Sequence, residues 1–335
     1  MTRSKLPVLI VGAGLMGRHH ARAAAASNAA IACIVDRDLE AARWLARKCG
    51  AASAQANLQE ALNSSIATVA HVCTPATSHG VIAKALAQAG LHALIEKPLG
   101  VDSADVRQIH RFFNEVPGGK LVCPTHQYAF QQSLEKTMAL LPRLGRVVRI
   151  GLDVCSAGAS HGNLGGDELV AEVLPHLLAI IQRLQPAISL REIDWKVIRS
   201  AEGEWSVAAL SDGGVLTMSV SAAGRPTRFM TSITGEYGSA HIDHFHDFSL
   251  LLPGRVSKAQ KILAPFSRSS REFIAASSNL CSRTLRREFA YPGLQSLVAA
   301  FYKAIRTSSP PPITQEQSID VADARDAILS LASRG

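Results

Sequence analysis

The stretch Val8-Leu9-Ile10-Val11-Gly12-Ala13-Gly14-Leu15-Met16-Gly17 decides how the rest of the chain is read. Its first four residues form a short, fully apolar run, which suits a central parallel strand covered on both faces. Glycines follow at positions 12, 14 and 17, and Ala21-Arg22-Ala23-Ala24-Ala25-Ala26 beyond them is a strong helix former. The glycines serve three separate ends, namely a tight turn, room for a pyrophosphate, and close packing of helix on strand. A pyrophosphate rests on such a helix amino terminus because free amides and the helix dipole attract anions. Gly12, Gly14, Leu15, Met16 and Gly17 are therefore candidate dinucleotide-binding residues.

The next strands extend the pattern. Ile31-Ala32-Cys33-Ile34-Val35 ends in Asp36, 19 residues past Gly17, where a carboxylate accepts hydrogen bonds from the adenosine ribose and favours NAD over its 2′-phosphorylated form. Arg37 beside it can pair with a 2′-phosphate, so NADP stays open. A third strand closes at Val72-Cys73-Thr74-Pro75, with Ala76-Thr77-Ser78-His79 leading into a helix from about 81 to 89. Thr74, Pro75 and His79 are expected to border the nicotinamide end, because ligands of doubly wound sheets lie beyond the strands' carboxyl ends. Leu94-Ile95-Glu96-Lys97-Pro98-Leu99 then places a lysine at a strand end. An ammonium there reaches a substrate hydroxyl or carbonyl. Glu96 can hold that lysine by a charge-assisted hydrogen bond, and Pro98 restricts the backbone.

A length of 335 residues exceeds one ordinary core and predicts two domains. With 47% apolar and 19% charged residues the chain has ample core material. Its six cysteines include no Cys-x-x-Cys pair, which favours reduced thiols and a cytoplasmic setting over disulfides or zinc. The apolar run at 6–11 passes directly into the glycine loop, so it reads as a strand rather than a signal peptide, and no stretch has the length of a membrane span. Predicted domains are a Rossmann domain over 1–122, a substrate and oligomerisation domain over 123–312 and a final helix over 313–335.

Beyond Cys123 the pattern changes. Arg146–Ile150, Val215–Val220 and Arg228–Ile233 alternate, as half-exposed antiparallel strands do, with helices at Ser133–Leu141, Leu169–Leu184 and Leu294–Thr307 between and after them. The fold class is an α/β Rossmann domain followed by an α+β domain on an open, mainly antiparallel sheet. On the predicted helix, Glu172 and His176 are four apart and share a face, so the carboxylate can orient the imidazole for proton transfer. Pro175 predicts a break or a helix start at that point. In His241-Ile242-Asp243-His244-Phe245-His246-Asp247, strand alternation separates the ligating side chains onto two faces, so no metal site is predicted. The segment Gly254–Tyr291 carries most of the chain's +8 net charge. Ile274, Cys281, Leu285 and Phe289 recur at helical spacing there, predicting an amphipathic helix packed by its apolar side with a solvated basic face. The other reading is a docking patch for an acidic partner: a nucleotide-sugar diphosphate, a carrier protein or an anionic membrane surface. No nucleic-acid module accompanies the charge.

Taken in order, the glycine fingerprint, Thr74-Pro75-x-x-x-His79 and Glu96-Lys97-Pro98 make the chain resemble the glucose–fructose oxidoreductase / inositol dehydrogenase (Gfo/Idh/MocA) family. Gly165–His176 resembles that family's Gly-Gly-…-Asp-x-Gly-x-His segment, and Gly235-Glu236-Tyr237-Gly238 the turn in its large sheet. The chain departs from the pattern at Glu172, Leu174, Ala179 and Gln127–Gln132. The resemblance implies an NAD(P)-dependent oxidoreductase passing a hydride between nicotinamide C4 and a carbinol or carbonyl carbon. Lys97, His176 and Glu172 would act as catalytic residues, and Lys97, His126, Tyr128 and His176 would line the substrate, a small molecule that the basic segment suggests is anionic or carrier-bound. It also implies a homodimer or homotetramer formed through the open sheet. The departures leave three alternatives: a non-catalytic NAD(P)-binding regulator, an imine reductase, and a glycosidase that recycles its NAD.

Overall fold

The computed structural model describes residues 4–156, 164–211, 214–254, 257–286 and 290–333. The chain divides into two compact units: Met1–His126 with Leu294–Ala322, and Gln127–Gly293 with Asp323–Gly335.

The first unit is built on a six-stranded parallel sheet of order β3-β2-β1-β4-β5-β6. Its strands are β1 (Leu6–Val11), β2 (Ala29–Val35), β3 (Ser53–Gln55), β4 (Val69–Val72), β5 (His92–Glu96) and β6 (Val122–Thr125). Helices α1 (Leu15–Ala26), α2 (Leu39–Cys49), α3 (Leu58–Ser64), α4 (His79–Gln88) and α5 (Ser103–Asn114) connect them. Val8 to Val11 are buried, as a strand covered on both faces requires. Helix α2 starts where Asp38 accepts from the Glu40 and Ala41 amides and stops at left-handed Gly50. The order reverses between β1 and β4, so the crevice beyond their carboxyl ends is the expected ligand site.

The division differs from the predicted one at the carboxyl end. Helix α9 (Leu294–Thr307), read from the sequence as part of the second domain, packs against α1, β5 and β6. Leu297, Val298, Phe301 and Tyr302 are buried there, and the small residues Ala21 and Ala24 of α1 are buried too. Helix α10 (Gln315–Ala332) contributes residues to both units.

The second unit carries a seven-stranded mixed sheet of order β13-β12-β11-β7-β10-β9-β8. Its strands are β7 (Val147–Cys155), β8 (Lys196–Ala201), β9 (Glu204–Ser211), β10 (Gly214–Ser221), β11 (Arg228–Gly235), β12 (Gly238–Asp243) and β13 (Phe248–Pro253). All neighbours run antiparallel except β7 and β10. Trp205, Val207, Leu216, Met218, Phe229 and Ile233 alternate into the core, as the pleat dictates. Helices α6 (Gln132–Leu140) and α7 (Gly166–Leu184) belong to this unit.

Three expectations are corrected here. Helix α7 runs unbroken through Pro175, so His176 lies mid-helix, not in a first turn. Proline leaves the carbonyl four residues earlier without its helical donor, and the Arg325 guanidinium donates to that carbonyl, Ala171 O, at 3.3 Å. Strand β12 stops at Asp243, and the following turn brings His246 Nδ1 within 2.7 Å of Asp243 Oδ2, where continued alternation predicts opposite faces. Among the described residues no cluster fit for a metal ion forms. The third correction concerns the basic segment. Its helix, α8 (Lys258–Arg286), is present, but the apolar side is the exposed one. Half-buried Ala275, Ala276 and Asn279 lie on the opposite side, and Asn279 and Arg283 both donate to the His246 carbonyl. Arg255, Arg287, Glu288 and Phe289 lie outside the described residues. Among the described residues no helix is long and apolar enough to cross a membrane.

Candidate active site

The glycine loop separates its three roles physically. At Gly12, with φ of +101°, a Cβ would stand 2.6 Å from the Cys73 carbonyl oxygen. At Gly17 it would stand 1.9 Å from the Gly12 carbonyl oxygen, so helix and strand meet only because no side chain is present. At Gly14, the N-cap of α1, a Cβ would meet nothing within 4 Å. That open space fronts the first turn of α1, which holds Leu15 and Met16 and no acidic residue. Free amides there can receive an anion. Asp36 braces the loop from the next strand: Oδ2 accepts from the Ala13 amide at 2.7 Å and Oδ1 from the Asp38 amide at 2.9 Å. Each carboxylate oxygen has a further lone pair for a ribose hydroxyl. Exposed Arg37 adjoins it. These residues fit a dinucleotide, with the pyrophosphate over Gly14 and the adenosine ribose at Asp36.

The loops after β4 and β5 are stitched together by His79. Its ring is fully buried, with Nε2 2.8 Å from Thr74 O and Nδ1 3.0 Å from Pro98 O and 3.2 Å from Leu99 O. The Ser78 hydroxyl stands 2.8 Å from Thr74 Oγ1 and 2.7 Å from Pro75 O. His79, read from the sequence as a cofactor neighbour, has a backbone carbonyl beside each ring nitrogen and shapes the loop around Lys97. Lys97 is half-buried, joined to Pro98 by a cis peptide. Its backbone amide donates to Glu96 Oε2 at 3.2 Å. His126, at the end of β6, is close enough to feel the lysine: burial first and then the Lys97 charge push its imidazole down to about 3, so it is neutral.

The other Glu96 oxygen ends a buried polar chain that sequence reading missed. Glu96 Oε1 is 2.8 Å from His20 Nε2, His20 Nδ1 is 3.0 Å from His71 Nδ1, and His71 Nε2 is 2.8 Å from the Tyr302 hydroxyl. His20, His71 and Tyr302 are fully buried. Burial holds the Tyr302 phenol protonated and, with the neighbouring His20, keeps His71 far below its ordinary value and neutral. Tyr302, His71, His20 and Glu96 are thus hydrogen-bonded in series. Four elements far apart in sequence converge on the carboxylate beside Lys97. The available signal was two histidines on apolar elements, His20 three residues past Gly17 and His71 inside β4.

In the second unit, His176 and Tyr128 come together. Their rings meet edge to face at 4.8 Å, and Tyr128 also meets Phe229 at 4.9 Å. Burial, followed by Tyr291, raises the Tyr128 phenol to about 12. Glu172 lies one turn before His176 on α7. Asp167, in the glycine-rich start of α7, accepts from the Gly203 amide and Trp205 Nε1, both at 2.8 Å, and from Arg199, tying α7 to the β8–β9 hairpin. His244 is fully buried between Thr231 Oγ1, at 2.7 Å, and Gln131, and burial pushes it down to about 3.

Residues 6–117 match the Gfo/Idh/MocA family, described as an oxidoreductase family with an NAD-binding Rossmann fold, which bears out the resemblance drawn from the motifs. No curated protein matches the chain. Solved structures share its fold over nearly the full length. The WlbA dehydrogenase from Bordetella pertussis, in complex with NADH and UDP-GlcNAcA, is 17% identical with a TM-score of 0.75, covering 100% of this chain and 97% of its own. The UDP-N-acetylglucosamine 3-dehydrogenase GnnA from Acidithiobacillus ferrooxidans is 16% identical with a TM-score of 0.73, covering 98% and 97%. Levoglucosan dehydrogenase, in complex with NADH and levoglucosan, is 16% identical with a TM-score of 0.76, covering 98% and 98%.

Proposed function

We propose that this chain, whose amino-terminal domain belongs to the Gfo/Idh/MocA oxidoreductases, is an NAD-dependent dehydrogenase or reductase of a sugar-like or sugar-nucleotide substrate. The observation that carries the reading is the open space at Gly14 before the acid-free first turn of α1, with Asp36 bracing the loop. Gly12, Gly14, Leu15, Met16 and Gly17 would hold the pyrophosphate, Asp36 with Arg37 the adenosine ribose, and Thr74, Pro75 and the Glu96–Lys97 loop the nicotinamide end. When bound, the nicotinamide supplies the hydride acceptor or donor at C4. The Lys97 ammonium hydrogen-bonds the substrate oxygen and polarises it. His176, oriented by Glu172, would serve as the proton-exchanging residue, and His126 and Tyr128 as substrate-binding residues. The solved relatives that bind sugar nucleotides and an anhydrosugar support this substrate class. Free thiols at the cysteines accord with a cytoplasmic setting, and pairing through the open sheet accords with the family.

Titration with NADH and NADPH, then a screen of UDP-sugars, free sugars and anhydrosugars followed by reduced-nicotinamide absorbance, tests the reading. Hydride transfer to or from one of these classes is expected. Tight cofactor binding with no transfer to any of them favours the second reading, an NAD-sensing regulator, for which Glu172 and Ala179 are the motivating departures.

A further inference from the structure

Helix α8 presents an apolar face that no described residue of its own unit covers. Ile262, Phe266, Phe273, Ile274, Leu280 and Leu285 are 64 to 86% exposed. At about 100° per residue they fall, with Ser270, Ser277 and Cys281, within an arc of about 140°. The opposite side rests on the body through small or polar residues, and Arg268 and Glu272 there act on His241. An exposed stripe of this length marks an interaction surface.

Its sequence names the occupant. In an antiparallel pair centred on the Phe273–Ile274 bond, Ile262 meets Leu285, Phe266 meets Cys281, Ser270 meets Ser277, Phe273 meets Ile274, and Leu280 meets Ser267. An isologous pair makes each of these contacts twice, because residue i of one copy meets residue j of the other and the reverse, and in this register, Leu280 aside, apolar residues meet apolar ones and serine meets serine. Large Phe266 then faces small Cys281, and the two serines let the helices approach on either side of the central Phe273 and Ile274. Each exposed aromatic carries roughly 150–250 Å², and the six large side chains together approach the ~800 Å² that each partner buries in a stable interface. Arg268 and Arg283 lie off the seam, and Arg271, at the rim of the arc, falls opposite Ala276 in this register, so two copies meet without opposing like charges.

We propose that α8 pairs antiparallel with α8 of a second copy of this chain, about a twofold axis at Phe273 and Ile274. Light scattering on the sized, full-length protein should give an even-numbered assembly, and Phe273→Glu should halve its mass while the circular dichroism spectrum is unchanged. In a Cys281→Ser background, Ile274→Cys should oxidise to a covalent dimer. Leu285→Cys should not, because antiparallel pairing sets the two copies of that residue ~34 Å apart at 1.5 Å per residue. A monomeric wild type overturns the proposal, whether or not it sediments with phosphatidylglycerol vesicles. So does a Phe273→Glu variant of unchanged mass, which would put the contact on the open sheet, and so does equal cross-linking at both cysteines.

Discussion

The chain of histidines in the amino-terminal unit and His176 in the second unit are buried in different ways. In the amino-terminal unit, His20 and His71 are links in a chain that runs from the Tyr302 phenol to the Glu96 carboxylate, with every ring nitrogen engaged. In the second unit, His176 meets the Tyr128 ring edge to face. A histidine hydrogen-bonded at both nitrogens to fixed partners has its tautomer set and acts as a clamp. His176, with Glu172 one turn before it on α7, is the histidine we propose to exchange a proton with a ligand. The clamp ends beside Lys97, so it fixes the strand end that carries the ammonium proposed to polarise the substrate.

The largest effect is expected at that ammonium. Lys97→Ala should lower turnover by about 10²–10⁴-fold, the worth of a positioned acid or base, with NADH affinity by equilibrium titration close to wild type. Equal loss in both would place Lys97 in cofactor binding instead. Next, His20→Leu should cost about 3–5 kcal/mol in urea unfolding, because it strands the buried Glu96 carboxylate. His176→Leu should cost about 1 kcal/mol, in the range of an ordinary substitution, while removing activity. Equal stability losses would erase the distinction between clamp and reactive ring. Tyr302→Phe should cost about 1–3 kcal/mol because it leaves buried His71 Nε2 without its hydrogen-bond partner.

A pH series sharpens the same contrast. His126 and His244 are pushed down to about 3 by burial, against 6.5 when unfolded. The unfolded chain therefore takes up protons that the folded chain refuses. Their contribution to stability is whole above pH 6.5 and is lost as pH falls from there toward about 3. Each adds a slope of up to about 1.4 kcal/mol per pH unit in that window. His244→Gln should flatten the dependence of the urea midpoint on pH by about one such slope. An unchanged slope would mean that His244 is reached by water. The smallest effect is at Asp36. We expect NADH to bind about tenfold more tightly than NADPH, about 1.4 kcal/mol, and Asp36→Ser to narrow the gap in parallel titrations. Tighter NADPH binding by the wild type would reverse the assignment of Asp36.

What the sequence made legible follows the range of the physics. The parallel sheet was readable because fully apolar runs, glycine spacing and a strand-end acid are local signals, and the structure places each where they point. The alternating strands announced the second sheet for the same reason. The chain from Tyr302 to Glu96 was not readable: its links join residues 231, 51 and 76 positions apart, and no local pattern encodes such pairings. Pro175 misled because its cost falls on the Ala171 carbonyl, and the donor that relieves it, Arg325, comes 154 residues later. For α8 the periodicity told which residues share a face, but periodicity is silent on which face meets the body. The assignment of α9 failed likewise, since an amphipathic stripe does not name its partner.

The enclosure of the Tyr302–His71–His20–Glu96 chain also makes it a clock. None of its hydrogens meets water in the folded state, since all three ring-bearing residues are fully buried. Their replacement by deuterium therefore waits for α9 to lift from the sheet, an excursion whose free energy is a property of that helix's docking. The imidazole protons of His20 and His71 report how often the amino-terminal unit opens at its carboxyl-terminal helix, without any label and without any ligand.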